Sequence, residues 1–148
     1  MYLENENKID YSSLPVFAGA VVLSLDGKIL NQLRDDKPDI LYPGYWSCAP
    51  GGHVDPGESP NTAVIREMRE EFGIELTNIK PIVTLFEPRG EIAGTHHSYS
   101  AELSTPIEKV QCFEGQKVEF FYPSQALKLK QIPLSKKILE LYLNSLTP

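Results

Sequence analysis

Hydrophobic residues form a continuous run near the start of the chain. Residues 16–25 read VFAGAVVLSL, and a short apolar run rich in Val and Leu is typical of a buried strand. Asp26-Gly27 follows as a turn signal, and residues 28–34 (KILNQLR) are the predicted returning strand of a β-hairpin. The polar segment before this hairpin, residues 1–14, is predicted to form an N-terminal arm or an edge strand.

A helix with a defined start and end is predicted after a long loop. Residues 35–60 are rich in Pro and Gly, and loops of this length in compact domains are usually functional. Ser59 is a suitable N-cap, and Pro60 occupies the first helical position, where its missing N–H costs nothing. The helix is predicted to run to about Phe72, because Gly73 provides a C-terminal stop.

Further strands and a second helix complete the predicted fold. Strand-like segments cover residues 79–86, 97–103 and 117–122. A short helical turn opens at Pro123, and residues 134–146 carry apolar side chains at helical spacing, which predicts a terminal amphipathic helix. Strands mixed with two helices indicate a single α/β (α+β) domain over residues 15–148.

Composition narrows the class of ligand. The chain of 148 residues carries 14 basic and 20 acidic residues, which gives a net charge of −6. A protein that binds nucleic-acid polymers normally needs an excess of Lys and Arg to replace phosphate counterions, so this partner class is not expected. Small phosphorylated ligands remain compatible with the charge, because a bound metal ion supplies positive charge locally.

Cysteine use and targeting signals bear on the compartment. Cys48 and Cys112 lie far apart without a CxxC partner, so neither a zinc site nor a disulfide framework is indicated. The N-terminus lacks the basic start and apolar run of a secretory signal, and no apolar stretch approaches the roughly 18 residues of a membrane span. The sequence therefore predicts a cytoplasmic protein that does not interact with membranes.

Three carboxylates share one face of the predicted helix. At about 100° per residue, Glu67, Glu70 and Glu71 fall within an arc of roughly 100°. Arg66 lies beside Glu70 at i,i+4 spacing, where it can donate a charged hydrogen bond. Carboxylate oxygens suit Mg²⁺ or Mn²⁺, and Glu58 at the helix start is placed to join the cluster. Taken alone, EMREE is more typical of a solvated acidic face, but the residues around it change that interpretation.

The residues around this helix match a fixed pattern over positions 52–74. Its defined positions are filled by Gly52, Glu58, Arg66, Glu67, Met68, Glu70, Glu71, Gly73 and Ile74. The stretch resembles the signature of the Nudix hydrolase superfamily (MutT-like), and the upstream YPGYWSCAPGG is similar to that family's lead-in. The resemblance implies an αβα sandwich with a mixed β-sheet between helices. It also implies an Mg²⁺-dependent pyrophosphohydrolase, with Mn²⁺ as a substitute, in which water attacks a phosphorus of a nucleoside diphosphate derivative.

The resemblance also implies a set of metal-binding residues. Carried over by position, Glu67 and Glu71 would be metal ligands, and Glu58 would support the metal shell or the water network. A backbone carbonyl in Gly51-Gly52 would complete the metal site, which explains a glycine pair where the chain must approach closely.

The identity of the catalytic base is left open. By position, Glu70 would be a further metal ligand or the base that orients water, and Arg66 would be the orienting partner. In several branches of the family the base lies on a distal loop, and Glu114 in CFEGQKVEFF is the candidate there. The competing carboxylates are Glu119 and, as weaker candidates, Glu87 and Glu91.

Substrate-binding residues outside the pattern are predicted less sharply. Arg34 and Arg89 are the basic residues expected to meet phosphate, and His53 is expected in solvent or near the phosphates. Trp46 either packs under the loop or stacks on a base, and packing is the favoured interpretation. His96-His97 suggests a metal site, but adjacent strand residues point to opposite faces and do not easily bind one ion.

Substrate, oligomeric state and two alternative functions remain open at this point. A nucleoside triphosphate, a nucleotide sugar and an ADP-ribose-like compound are all compatible small-molecule substrates, and a homodimer is an open expectation. One alternative is a catalytically inactive Nudix domain that binds a nucleotide as a sensor or regulator, although the complete set of carboxylates argues against it. Another is an isomerase on the same fold, but Cys48 and Cys112 do not recreate the active site of isopentenyl diphosphate isomerase.

Overall fold

A mixed β-sheet with helices on both faces forms the domain in the computed structural model, which describes residues 13–147. The strands are β1 (Val16–Leu23), β2 (Ile29–Leu33), β3 (Trp46–Ser47), β4 (Gly51–His53), β5 (Leu76–Glu87), β6 (Gly94–Leu103) and β7 (Lys117–Phe121). The helices are α1 (Pro60–Phe72), α2 (Pro123–Ala126) and α3 (Pro133–Ser145). Of the predicted N-terminal arm, residues 1–12 lie outside the described part of the chain.

The strand order places β1 at the centre of the sheet. The path runs β3-β2-β1-β6-β5, β4 also pairs with β1, and β7 also pairs with β2. The β1 and β6 strands are parallel, and the remaining pairs of named strands are antiparallel. Between β1 and β2, direct pairing is confined to Leu23 and Ile29. The chain from β3 to β4 therefore fills the wedge where these two strands diverge, which brings the glycine pair into the middle of the sheet.

Each face of the sheet buries a separate apolar layer. The layer under α1 contains Ala18, Ala20, Val22 and Leu30 of the sheet and Ala63, Val64, Met68 and Phe72 of the helix. The layer under α2 and α3 contains Val21, Ile29 and Cys48 with Ala126, Leu134, Ile138 and Leu139. Because successive residues of a strand point to opposite faces, β1 contributes to both layers. The predicted αβα sandwich with a mixed sheet between helices is confirmed.

The ends of α1 follow the predicted capping residues. The Ser59 hydroxyl accepts a hydrogen bond from the Thr62 amide at 3.1 Å. Gly73 adopts the left-handed conformation at φ +64°, and its amide donates to the Arg69 carbonyl at 3.0 Å. These caps fix both the length and the rotation of the helix that carries the carboxylates.

The predicted boundaries of β1, β2, β7 and α3 differ from the observed ones by one or two residues, and larger differences occur in β5, β6 and the long loop. The predicted strands 79–86 and 97–103 extend to the full lengths of β5 and β6, because register shifts at 77–80 and 81–83 interrupt the alternation that would have shown the earlier start of β5. The long loop contains the short strands β3 and β4, whose two and three residues are too few for a periodic signal.

None of the described helices combines the length and apolarity that a membrane span requires.

A buried polar network fixes α3 to the sheet. The Gln131 side-chain amide donates to Asn31 Oδ1 at 2.7 Å. Gln131 Oε1 accepts hydrogen bonds from the Cys48 amide and the Ser135 hydroxyl, each at 3.0 Å. Burial raises the pKa of the Cys48 thiol to about 12, so this thiol stays protonated. Because these groups satisfy one another, the N-terminal turn of α3 has a fixed position over the sheet.

Candidate active site

Gly52 lies directly against the carboxylate of Glu67. A Cβ atom at Gly52 would lie 2.3 Å from Glu67 Cδ and 2.3 Å from Oε2. Gly51 is crowded from the other side, since a Cβ there would lie 2.0 Å from the Ala18 carbonyl oxygen. A side chain at either position would displace a neighbour, so the glycine pair allows helix α1, β4 and β1 to meet at this point.

Arg66 binds one carboxylate that precedes α1 and two carboxylates in the second half of that helix. Its Nε and Nη2 donate to Glu58 at 2.8 and 2.9 Å, and its Nη1 donates to Glu67 at 3.0 Å and Glu70 at 3.1 Å. Nη2 also donates to the His53 carbonyl at 2.9 Å, which ties the helix to β4. These hydrogen bonds from the guanidinium hold the pKa of Glu58 at about 2. Arg66 therefore fixes the orientation of Glu67.

Glu71 is a buried carboxyl without a cationic partner among residues 13–147. Only 6% of Glu71 is exposed, and the ion pairs of Arg66 go to other carboxylates. Burial raises the pKa of Glu71 to about 9, and the neighbouring Glu67 and Glu114 carboxylates add to the effect. At neutral pH Glu71 therefore retains a proton unless a cation takes its place.

Glu114 reaches this pair from the loop that precedes β7. The Phe113 amide donates to the Glu71 carbonyl at 2.9 Å, and the Gln111 amide donates to the Phe72 carbonyl at 3.0 Å. These bonds occupy carbonyls that the end of α1 leaves without an intrahelical partner. On the other side, the Gln32 side-chain amide donates to the Glu114 carbonyl at 2.8 Å. The loop is thus held between α1 and β2, and Glu114 faces the carboxylates of α1.

A cavity of about 380 Å³ opens beside these carboxylates. Its polar wall includes the carboxylates of Glu67, Glu71 and Glu114. Gln32 in β2 and Arg34, the residue directly after β2, also line the cavity. The cavity is therefore acidic on the helix side, and it has a guanidinium on the β2 side. Such a distribution suits a ligand that carries both phosphate groups and a cation.

The opposite wall of the cavity is largely apolar. Ile132, Leu134 and Ile138 contribute from α3 and the residue before it. Phe17 and His96 also line the cavity, and their rings are stacked, with centroids 4.4 Å apart and an angle of 7° between the ring planes. The His96 Nε2 lies 2.6 Å from the Ile92 carbonyl oxygen, and burial lowers the pKa of His96. A neutral ring that donates through Nε2 is the form consistent with this contact.

The structure brings some of the predicted site residues to the cavity and leaves others outside. Those that line it are Arg34, Gly51, Gly52, His53, Glu67, Glu71 and Glu114. Those that do not are Trp46, Glu58, Arg66, Glu70 and Arg89. Trp46 packs edge-on against Phe121, with ring centroids 5.4 Å apart, and Arg89 donates to the buried Glu87 at 3.1 Å. The predicted roles of Trp46 and Arg89 in substrate binding stay predictions, without a contact in the cavity to support them.

The NUDIX domain family model matches residues 14–142 of the chain. The chain belongs to the Nudix hydrolase family. A CTP pyrophosphohydrolase of Escherichia coli K12 is 32% identical over 125 residues, which cover 84% of this chain and 88% of the relative. The solution structure of the E. coli ORF135 protein matches with a TM-score of 0.67 and 25% identity, over 92% of this chain and 94% of the other. A C. elegans Ap4A hydrolase binary complex matches with a TM-score of 0.68 and 28% identity, over 88% and 97% of the two chains.

The resemblance found in the sequence is therefore confirmed, together with the hydrolase class that it implied. Nudix hydrolases act on pyrophosphate bonds, and the family generally uses divalent metal ions. The donor set fits such an ion, because Glu71 is buried beside Glu67 and has no cationic partner in the described part of the chain. Among the described residues, no three His, Cys, Asp or Glu side chains surround one metal position. Carboxylate oxygens are ligands that Mg²⁺ accepts, and this ion usually keeps several waters and binds through one or two carboxylates plus substrate phosphates.

Sequence reasoning missed several residues of this Nudix cavity. Gln32 lies two residues before Arg34 on the same face of β2, and this spacing could have indicated it. Phe17 was predicted only as part of a buried strand, and no local pattern indicates that His96 stacks on it. The α3 wall depends on contacts between distant segments, such as the hydrogen bond between Gln131 and Asn31, which are 100 residues apart, so no local signal was available.

Proposed function

We propose that this Nudix hydrolase is an Mg²⁺-dependent pyrophosphohydrolase that cleaves the diphosphate linkage of a small nucleotide by attack of water at phosphorus. The observation that carries the proposal is the buried Glu71 carboxyl, which lies beside Glu67, lines the cavity and has no Lys, Arg or His partner within residues 13–147. Mg²⁺ held by these two carboxylates and a carbonyl of Gly51 or Gly52 would neutralise the pyrophosphate and lower the pKa of attacking water.

The residues of the chain divide the remaining work of the reaction. Arg66 holds Glu67 in position through the hydrogen bond at 3.0 Å, and Glu58 in turn anchors Arg66. Glu114 faces the acidic side of the cavity, where it takes the proton of the attacking water as general base. Glu70 is the competing base, but its side chain is 59% exposed and bonds to Arg66.

The substrate occupies both walls of the cavity in this proposal. Arg34 binds a phosphate group, and His53 lies near the phosphates at the same cavity. The apolar wall formed by Ile132, Leu134 and Phe17 receives the base or another apolar part of the substrate. CTP is the first substrate to test, because a relative that is aligned over 88% of its own length is a CTP pyrophosphohydrolase. Other nucleoside triphosphates, nucleotide sugars and ADP-ribose complete the panel.

The decisive experiment incubates this nucleotide panel with Mg²⁺ and measures the nucleoside mono- and diphosphates formed, which report cleavage of every substrate on the panel, including those that release no free phosphate. The wild type is compared with Glu71→Gln, Glu114→Gln and Glu70→Gln, and Glu108→Gln serves as a control for loss of an exposed carboxylate outside the cavity. Hydrolysis that depends on Mg²⁺ and falls at least a hundredfold in Glu71→Gln supports the proposal. Nucleotide binding without turnover would favour the sensor alternative instead, and no turnover on the whole panel would refute a hydrolytic role.

Two further expectations concern the protein in the cell and in solution. A cytoplasmic location rests on the sequence alone, and fractionation of cells that express the full chain would test it. The homodimer is likewise an expectation from the sequence, and light scattering of the purified chain would distinguish it from a monomer.

A further inference from the structure

Arg34 uses only one edge of its guanidinium for contacts within the protein. Its Nε donates to the Tyr42 carbonyl at 3.3 Å, and its Nη2 donates to the Leu41 carbonyl at 2.6 Å. Nη2 also donates to Glu91 Oε1 at 3.2 Å. Nη1 has no acceptor among residues 13–147, although the side chain is only 17% exposed and lines the cavity. One end of a largely buried guanidinium is therefore left for a ligand.

Glu91 holds both Arg34 and the peptide that Arg34 contacts. Its Oε1 and Oε2 accept hydrogen bonds from the Leu41 amide at 2.7 and 3.0 Å. Gly90, the preceding residue, adopts a φ of +61°, and a Cβ there would lie 3.1 Å from Leu41 Cβ. The turn at 90–92 and the loop at 35–45 are thus joined at the cavity, and Glu91 is the residue that joins them to Arg34.

The position of Arg34 matters because the same cavity contains other carboxylates that could form an ion pair with its guanidinium. Glu71 and Glu114 both line the cavity, yet the ion pair that Arg34 makes among the described residues is with Glu91. A guanidinium on a flexible side chain is attracted to any carboxylate that it can reach. The bonds to Glu91 and the two carbonyls engage Nε and Nη2, and they leave Nη1 of this cavity-lining side chain without an acceptor among the described residues.

We propose that Glu91 is a positioning residue, which orients Arg34 so that Nη1 donates to a phosphate group of the substrate. This inference deepens the proposed function and rests on it for the identity of the anionic ligand. Glu91 touches neither the attacking water nor the phosphorus. Its contribution is to hold one edge of the guanidinium fixed, so that little side-chain freedom is lost when the phosphate binds.

Two substitutions test the inference, and both are measured by binding as well as by turnover. Calorimetry with inorganic pyrophosphate and Mg²⁺ gives Kd for the intact chain without any need for hydrolysis. We expect Glu91→Gln to raise Kd about three- to tenfold, because the carboxamide still accepts from the Leu41 amide but no longer holds a guanidinium by charge. We expect Arg34→Lys to raise Kd about tenfold or more. A single ammonium group cannot contact the Tyr42 and Leu41 carbonyls through one edge while it presents a second edge to phosphate, as a guanidinium can.

A double variant distinguishes an effect of Glu91 that acts through Arg34 from a general effect of the negative charge of Glu91 on anion binding. If Glu91 acts through Arg34, Glu91→Gln adds no further loss of affinity in the Arg34→Lys background. With any nucleotide that is hydrolysed, Glu91→Gln is expected to raise KM by the same factor while kcat stays within about twofold. Glu108→Gln is the matched control, because it removes an exposed carboxylate that does not line the cavity.

Several results would overturn the inference, and they differ from failure of the proposed function. Tighter pyrophosphate binding by Glu91→Gln would mean that Glu91 competes with phosphate for Arg34, which is the opposite role. Unchanged Kd in both single variants, or no pyrophosphate binding by the wild type, would also refute it. If pyrophosphate affinity changes as expected but no nucleotide is hydrolysed, the proposed function fails and the positioning role stands.

Discussion

Replacing Gly52 by alanine tests whether the position of Glu67 governs activity separately from folding. The new Cβ would lie 2.3 Å from the Glu67 carboxylate, whereas ordinary van der Waals contact begins at 3.4 Å. The carboxylate must therefore move by about 1 Å, and a misplacement of this size costs about 10²-fold in rate. The backbone of Gly52 is compatible with alanine, because its φ is not in the left-handed region. We expect the cost to fall on activity and the Tm to change by less than about 4 °C.

The neighbouring glycine provides the matched comparison. In Gly51→Ala the new Cβ would lie 2.0 Å from the Ala18 carbonyl oxygen and 2.4 Å from Gly19 Cα, so it strikes backbone rather than a movable side chain. This variant should lose both activity and stability. Steady-state hydrolysis with Mg²⁺ and thermal unfolding by circular dichroism are measured for both variants. Wild-type turnover in Gly52→Ala, or a loss of Tm equal to that of Gly51→Ala, would refute the reasoning.

Four other predictions concern the carboxylates. Arg66→Leu removes the hydrogen bond that Arg66 Nε donates to Glu58 Oε2 at 2.8 Å. We therefore expect the Tm to fall by about 4–8 °C, and an unchanged Tm would contradict this. Because Arg66 lowers the pKa of Glu58 from 4.5 to about 2, this contact stabilises the fold above pH 4.5 and its contribution is lost as the pH falls toward 2. Urea unfolding should show a flatter stability–pH curve in Glu58→Gln over that range. Since burial raises the pKa of Glu71 to about 9, Mg²⁺ binding near pH 7.5 should release close to one proton, and equal calorimetric heats in buffers of different ionisation enthalpy would argue against it. Glu114→Gln should lower kcat by about 10²- to 10⁴-fold with Mn²⁺ binding retained in electron paramagnetic resonance titrations. If kcat stays within about threefold, the assignment of the base moves to Glu70.

Local chemistry explains why much of the fold could be predicted. The turn at Asp26-Gly27 and the caps at Ser59 and Gly73 depend on the preferences of one or two residues, and all three have the predicted form. The arc of Glu67, Glu70 and Glu71 follows from helical spacing alone. The structure nevertheless divides this arc, since Glu71 is buried whereas the Glu70 side chain is 59% exposed. Whether a carboxylate on the helix is buried depends on which segments pack against that part of the helix. Residue spacing along the helix carries no information about those segments.

Contacts between distant segments account for what the sequence did not predict. Arg34 was expected to meet phosphate and Glu91 was a weak candidate for the base, but their ion pair joins residues 57 positions apart. The apolar wall near Ile132 likewise depends on how the residues before α3 lie across the sheet. No periodicity reports such pairings, because they follow from the topology of the strands and the loops between them. The role predicted for Glu114 depends on the same kind of contact and stays a prediction.

The loop before β7 and the end of α1 form one hydrogen-bonded unit, and this has a consequence for local opening. The Gln111 and Phe113 amides donate to carbonyls of Phe72 and Glu71, so the loop cannot leave α1 without releasing both carbonyls. Amide hydrogen exchange at Phe113 would therefore follow the same opening event as the last turn of the helix. Its exchange rate is a reporter of site integrity that requires no substrate. A variant that slows turnover while leaving this rate unchanged acts without opening the junction between this loop and α1.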